Sequence, residues 1–163
     1  MVLTKQDLIG ILQNEVRILL HLCGKVKSEM LGYRPTAKQR STLELLRYLT
    51  VMGPGLVKSV KAGEFLEAEW GAAQSAADQM DFDAVVKSLA SQSAVYEQAV
   101  GEMSDGAFQA EIELFGHKAK RGVLLVTLVA GGHAAYRTQL FCYLKACGRD
   151  ELNTSNLWGG VDS

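Results

Sequence analysis

The stretch AKRGVLLVTLVAGGHAAYRTQLFCYLKAC, from Ala119 to Cys147, constrains this chain more than any other. As one α-helix it would run roughly 44 Å at 1.5 Å per residue, more than the height of a small domain. Lys118, Lys120 and Arg121 open it, and Gly148 supplies a residue suited to the left-handed conformation that closes a helix. At helical spacing Leu125, Val129, Gly132, Tyr136 and Tyr143 share one face, opposite Thr127, Thr138 and Lys145. Most of a helix's stability comes from packing its apolar face, so the rest of the chain is expected to wrap that face.

Three amphipathic segments precede it. The first runs from Lys5 to Met30, with Thr4 as N-cap and Asp7 three residues on; Leu8, Leu12, Val16, Leu19, Cys23, Val26 and Met30 form its apolar face. His21 falls on the opposite, polar face and reads as an exposed histidine. Leu31–Arg40 is a connection, because Gly32 and Pro35 block continuation. The second helix opens on the capping pair Ser41 and Glu44 and continues through Leu45, Tyr48, Leu49, Met52 and Leu56. Gly53-Pro54-Gly55 predicts a kink or a stop within it, since an interior proline costs about 3 kcal/mol.

In Lys61–Gln79 the alanines permit a short helix, Gly63 and Gly71 interrupt it, and Phe65, Leu66 and Trp70 would dock it on the bundle. The third helix spans Asp83 to Met103 behind the cap Asp81, with Phe82, Val85, Leu89, Tyr96, Val100 and Met103 on its apolar face. Gln92 interrupts that face, and a buried glutamine must be hydrogen-bonded or it costs about 1–3 kcal/mol. Within Ser104–His117 the run FQAEIELFG alternates apolar and polar residues, which predicts an extended, hairpin-like segment over the bundle. Arg149–Ser163 is a polar tail that Leu157 and Trp158 would pin, with a mobile end.

The expected architecture is all-α: a four-helix bundle over residues 1–150, a polar tail over 151–163, and a crossover connection between helices 2 and 3. A net charge of −1 on 163 residues removes the basic footprint of a general nucleic-acid binder. The apolar run Gly122–Gly132 is too short to span a membrane, and the N-terminus carries no leader pattern. Cys23, Cys142 and Cys147 fall at apolar helix positions without CxxC spacing, which suits reduced thiols in the cytoplasm.

No GxSxG, Walker loop, HExxH or CxxC pair occurs, and His21, His117 and His133 share no metal-ligand spacing. Two segments do carry a resemblance. LGYRPTAKQRSTLELLRYLTVM resembles the second-helix entry of DinB-like proteins, and GGHAAYRTQLFCYLKACG resembles their last helix. The resemblance extends over residues 5–150 in order and spacing. It implies a four-helix bundle, a homodimer, and in many members a divalent metal (Zn, Ni, Fe or Mn) held by three histidines. Some members are thiol-dependent transferases or isomerases.

At the three histidine positions that the resemblance implies, this chain has Tyr48, Gly132 and Tyr136. His133 stands one residue past the first of the last-helix positions, a rotation of 100°. No native cofactor is expected. Tyr48, Gln92, Tyr96, Tyr136 and Tyr143 are predicted to face the interior, with Gly132 leaving space beside them. They form either a filled core with mutually bonded hydroxyls, or a small metal-free pocket with aromatic walls. His133 and Arg137 lie four apart on the flank of the last helix. They support a helix or subunit seam, or bind an anion with the histidine as acid or base. Gly131-Gly132 suggests close approach of another helix, across a dimer for example.

The functional expectation is a DinB-like, metal-free module that binds a small molecule or a partner. The alternative is a diverged thiol-dependent transferase or isomerase with a relocated metal.

Overall fold

The computed structural model describes residues 3–163. Helix α1 covers Lys5–Cys23, α2 Thr42–Ala62, α3 Glu67–Ala77, α4 Phe82–Gly101 and α5 Asp105–Gln109. An antiparallel hairpin follows, β1 Glu111–Leu114 and β2 His117–Lys120. The last long helix is α6 Arg121–Leu124, a π-helical segment Leu125–Ala130, and α7 Gly131–Ala146. Among the described residues no helix is long and apolar enough to cross a membrane.

Side-chain bonds fix the directions of the helices. Lys5 Nζ donates to the Met103 carbonyl (2.6 Å) and Gln13 Nε2 to that of Ser93 (3.4 Å), so α1 and α4 run antiparallel. Gln92 Nε2 reaches the Leu49 carbonyl (2.8 Å) and Lys61 reaches Glu102 (2.5 Å), so α4 runs parallel to α2. Parallel neighbours require the chain to return between them, and α3 is that return. Trp70 of α3 packs on Gly55 of α2, and Arg47 near the start of α2 donates from Nε to the Met80 carbonyl at 2.8 Å. The all-α bundle with a crossover between its second and third long helices is therefore as expected. The last helix runs antiparallel to α2: Arg121 Nε donates to the Val60 carbonyl (2.9 Å) and Tyr143 Oη to that of Arg40 (3.0 Å). Leu8, Leu12, Leu49, Val57, Val85, Leu89, Leu125 and Leu140 meet in the core.

Several local expectations are corrected. Helix α1 stops at Cys23, and Met30 reaches the core from a short 3₁₀ turn, Ser28–Met30. Of the kink or stop expected at Gly53-Pro54-Gly55, the stop does not occur: α2 runs through Pro54 to Ala62. A proline disfavours helical geometry in the preceding residue partly through that residue's Cβ, and Gly53 has none. His117–Lys120 pairs with β1, so the last helix starts at Arg121. Cys142 is exposed, while Cys23 is buried and its thiol is pushed up to about 12 by that burial.

The tail docks through residues other than those expected. Leu152 and Asn156 are buried, whereas Trp158 stands 71% exposed. Arg17 donates to the carbonyls of Gly159 (2.8 Å) and Gly160 (3.2 Å), and Lys25 pairs with Asp162 at 2.6 Å. Asn156 Nδ2 lies 3.1 Å from His21 Nε2, so His21 is half-buried under the tail rather than free on a polar face.

The π-helical segment changes which residues of the last helix face inward. The buried side chains of that helix are Leu124, Leu125, Val129, Ala130, His133, Arg137, Leu140, Tyr143 and Leu144. A 3.6-residue period from Leu125 gives 129, 132, 136 and 143; Val129 and Tyr143 are buried as that period expects, whereas Gly132 and Tyr136 are not. A π turn takes up an extra residue and rotates the positions that follow it, so that 133 and 137 replace 132 and 136 on the inner face. That is why His133 faces the interior and Gly132 and Tyr136 turn toward the surface.

Candidate functional site

The eight residues singled out in the sequence separate into four groups, one of them Tyr143 alone, buried on the last helix with its hydroxyl donating to the Arg40 carbonyl at 3.0 Å. Gln92, Tyr96 and His133 form a chain inside the bundle, with 1%, 0% and 1% exposure. Gln92 Nε2 donates to the Leu49 carbonyl, which turns its Oε1 toward Tyr96. Tyr96 Oη donates to that Oε1 at 3.0 Å. A phenol has one proton. The 2.6 Å contact between Tyr96 Oη and His133 Nε2 must then be an Nε2–H donating to the phenol oxygen. His133 is therefore the neutral Nε2–H tautomer, and its buried Nδ1 has no hydrogen-bond partner among the described residues. Burial, then the charge of Arg137, holds its pKa down at about 4. Burial also raises the Tyr96 phenol. Of the two interior alternatives, this trio matches the filled, internally bonded core.

Gly53 makes this chain possible. A Cβ there would stand 1.8 Å from Tyr96 Oη and 2.9 Å from His133 Nε2. The Gly-Pro-Gly run that reads as a helix breaker is a notch for two close approaches, Tyr96 and His133 at Gly53 and Trp70 at Gly55.

Arg137 belongs to neither pocket nor chain. Its Nε donates to Glu15 Oε2 at 2.9 Å, with both side chains largely buried, and its Nη1 donates to the Leu157 carbonyl. The helix-seam alternative fits this geometry: the guanidinium joins α7, α1 and the tail.

Tyr48, Gly132 and Tyr136 come together on the surface. They line a cleft of about 640 Å³ with Met52, Leu56, Phe65, Trp70, Phe115, Thr127, Leu128, Gly131 and Ala135. Its walls are aromatic pairs, edge-to-face for Tyr48 with Tyr136 and Trp70 and tilted for Phe65 with Trp70 and Phe115. Ring centroids lie 5.1 Å apart for Tyr48–Tyr136, 6.3 Å for Tyr48–Trp70, 5.5 Å for Phe65–Trp70 and 5.2 Å for Phe65–Phe115. Four elements supply them: α2 Tyr48, α7 Tyr136, the crossover Phe65 and Trp70, and the hairpin tip Phe115. Of the two glycines only Gly132 is closely approached by another helix: a Cβ there would meet the Met52 thioether of α2 at 2.9 Å, whereas one on Gly131 would meet only the Val126 carbonyl, at 3.6 Å. Trp70, Phe65, Phe115 and Met52 were not recognised as cleft residues from sequence. The one local signal was Phe-Gly at a hairpin turn, since Phe115 sits at φ 53° in the left-handed region and a bulky side chain there is strained.

The three positions at which the family resemblance implies histidines do meet, but their donors do not suit a divalent ion. Gly132 offers no side chain. Burial, then the neighbouring Tyr136, pushes the Tyr48 phenol up to about 12, so it is protonated at neutral pH. The Arg40 guanidinium carbon stands 3.9 Å from the Tyr48 ring centroid and adds positive charge there. Among the described residues no group of three or more His, Cys, Asp or Glu is placed to hold a metal. A second hollow, about 450 Å³ beside Phe108, Val123 and Val126, has only one aromatic in its wall.

Among known proteins, no family model and no curated protein matches the chain. A solved structure does: a DinB-like protein from Bacillus subtilis, YjoA, at 18% identity and a TM-score of 0.66. The match covers 90% of this chain and 96% of that one. The fold of the present chain is thus the DinB-like fold that the two sequence segments suggested.

Proposed function

We propose that this chain, with the fold of a DinB-like bundle, is a metal-free small-molecule-binding module whose site is the aromatic cleft between α2, α7, the crossover and the hairpin. The observation that carries this reading is the clustering of five aromatic side chains around a concave volume of about 640 Å³ at the meeting point of Tyr48, Gly132 and Tyr136. Volumes of about 300–1,000 Å³ with apolar walls and a few polar groups are the usual form of a ligand site. Here the polar groups are two phenols and the Thr127 hydroxyl. A homodimer, as the resemblance implies, and a cytoplasmic setting are part of the same proposal.

The hairpin tip offers a test in which stability and binding move in opposite directions. Phe115 and Gly116 form a two-residue loop with φ of 53° and 76°, a turn for which Asn-Gly is the favoured pair. Phe115→Asn is expected to stabilise the fold by about 1 kcal/mol by relieving left-handed strain. It is also expected to weaken binding of aromatic fragments, because the cleft loses a wall. Urea denaturation and ligand-observed NMR read the two effects. Unchanged fragment binding in this variant would count against the cleft as the site.

Ala135 is exposed on the cleft floor, so Ala135→Trp is expected to leave stability within about 0.5 kcal/mol of wild type. Its indole would fill the cleft and abolish fragment binding. Retained binding would place the fragments elsewhere.

A further inference from the structure

Three arginines surround the start of α2, and two of them are committed. Arg34 pairs with Glu44 at 3.1 Å. Arg47 donates from Nε to the Met80 carbonyl at 2.8 Å. Arg40 is exposed and forms no ion pair among the described residues. Its guanidinium lies over the ring of Tyr48, a wall of the cleft. Its place is set by its own backbone: the Arg40 carbonyl accepts from Tyr143 Oη at 3.0 Å, and Gln139 Nε2 donates to that phenol at 2.6 Å.

None of the residues lining the cleft carries a charge. An aromatic cage that takes a cationic ligand offers open π faces. Here the face of Tyr48 already carries a guanidinium, which would repel a second cation. A planar guanidinium with unpaired N–H donors is instead a fork for a carboxylate or similar oxyanion.

We infer that the ligand of this cleft is a planar aromatic anion, its ring system held among Tyr48, Trp70, Phe65 and Tyr136 and its carboxylate paired with Arg40. This rests on the cleft being the binding site, and adds the charge class of what binds there.

Three probes of one shape separate the two claims: 2-naphthoate, neutral 2-naphthylmethanol and cationic 2-naphthylmethyl-trimethylammonium, each titrated by calorimetry into the wild type, Arg40→Gln and Ala135→Trp. The expected order in the wild type is anion, then neutral, then cation, with the anion favoured over the neutral probe by about tenfold, the worth of one charge-assisted pair near a surface. Arg40→Gln is expected to remove that preference while the neutral probe binds as before. Arg40 is exposed, so its loss leaves folding intact. Equal binding of anion and neutral probe, unaffected by Arg40→Gln but lost in Ala135→Trp, would overturn the charge class and leave the cleft as a site. Tightest binding of the cation would also overturn it. Failure of all three probes to bind would overturn both claims.

Discussion

Gly53→Ala is expected to destabilise this protein by about 4 kcal/mol, although alanine is the better helix former. On an exposed helix the exchange would gain about 1 kcal/mol. Here the new methyl would stand 1.8 Å from Tyr96 Oη, and Tyr96 is fully buried. Moving the ring breaks its bonds to Gln92 and His133 and leaves buried polar atoms unpaired. Denaturant unfolding measures the loss. Tyr96→Phe in the same chain removes the oxygen nearest the methyl and leaves the ring carbon at 3.0 Å. The double variant should therefore lose less stability than the two single losses added together. Strict additivity, or a Gly53→Ala variant as stable as the wild type, would contradict the close packing of Tyr96 on α2.

The second large effect is a pH dependence that His133 imposes. Folded, its pKa is about 4; unfolded, it returns to the ordinary 6.5. Between those values the unfolded chain takes up a proton that the folded chain refuses. Stability from this group is therefore complete above about pH 6.5, falls as the pH drops toward 4 and levels off below. The full loss is about 3 kcal/mol. The carboxylates with lowered values, Asp7, Glu44, Glu102 and Asp162, contribute at more acid pH, starting from ordinary values of 3.8 to 4.5. Half-buried His21 is lowered in the same direction. His133→Gln should flatten the limb between pH 6.5 and 4 while keeping a donor toward Tyr96. Nitrogen NMR shifts of the wild-type ring should show Nε2 protonated and Nδ1 bare at pH 7. A ring that titrates near its ordinary value would contradict the burial argument.

Much of the fold was legible from the sequence because it rests on local chemistry. Thr4 with Asp7 and Ser41 with Glu44 form capping boxes in the structure, as their spacing indicated. Leu8, Leu12, Val16 and Leu19 are buried on one face of α1. The long link after α2 is a crossover, as its length suggested. What was misread depends on partners distant in the chain. Gly53-Pro54-Gly55 looks like a helix breaker until Tyr96 and Trp70 are seen to fill the notches. The π-helical segment at Leu125–Ala130 has no local sequence signature, yet it rotates the turns that follow it. It therefore exchanged Gly132 and Tyr136 for His133 and Arg137 on the inner face. Tyr48, Gly132 and Tyr136 were grouped correctly, but in a surface cleft rather than the core. The aromatic residues that complete this cleft come from the crossover and the hairpin, where local periodicity carries no information about tertiary placement.

The central claim is that the cleft binds its ligand without a metal ion. A ligand-observed NMR screen of small aromatic fragments, run on the intact chain in the presence of EDTA, tests it most directly. Saturable binding that perturbs Tyr48, Trp70 and Tyr136 and is lost in Ala135→Trp is the expected result. Binding that appears only after a divalent ion is added, or no binding at the cleft at all, would contradict it.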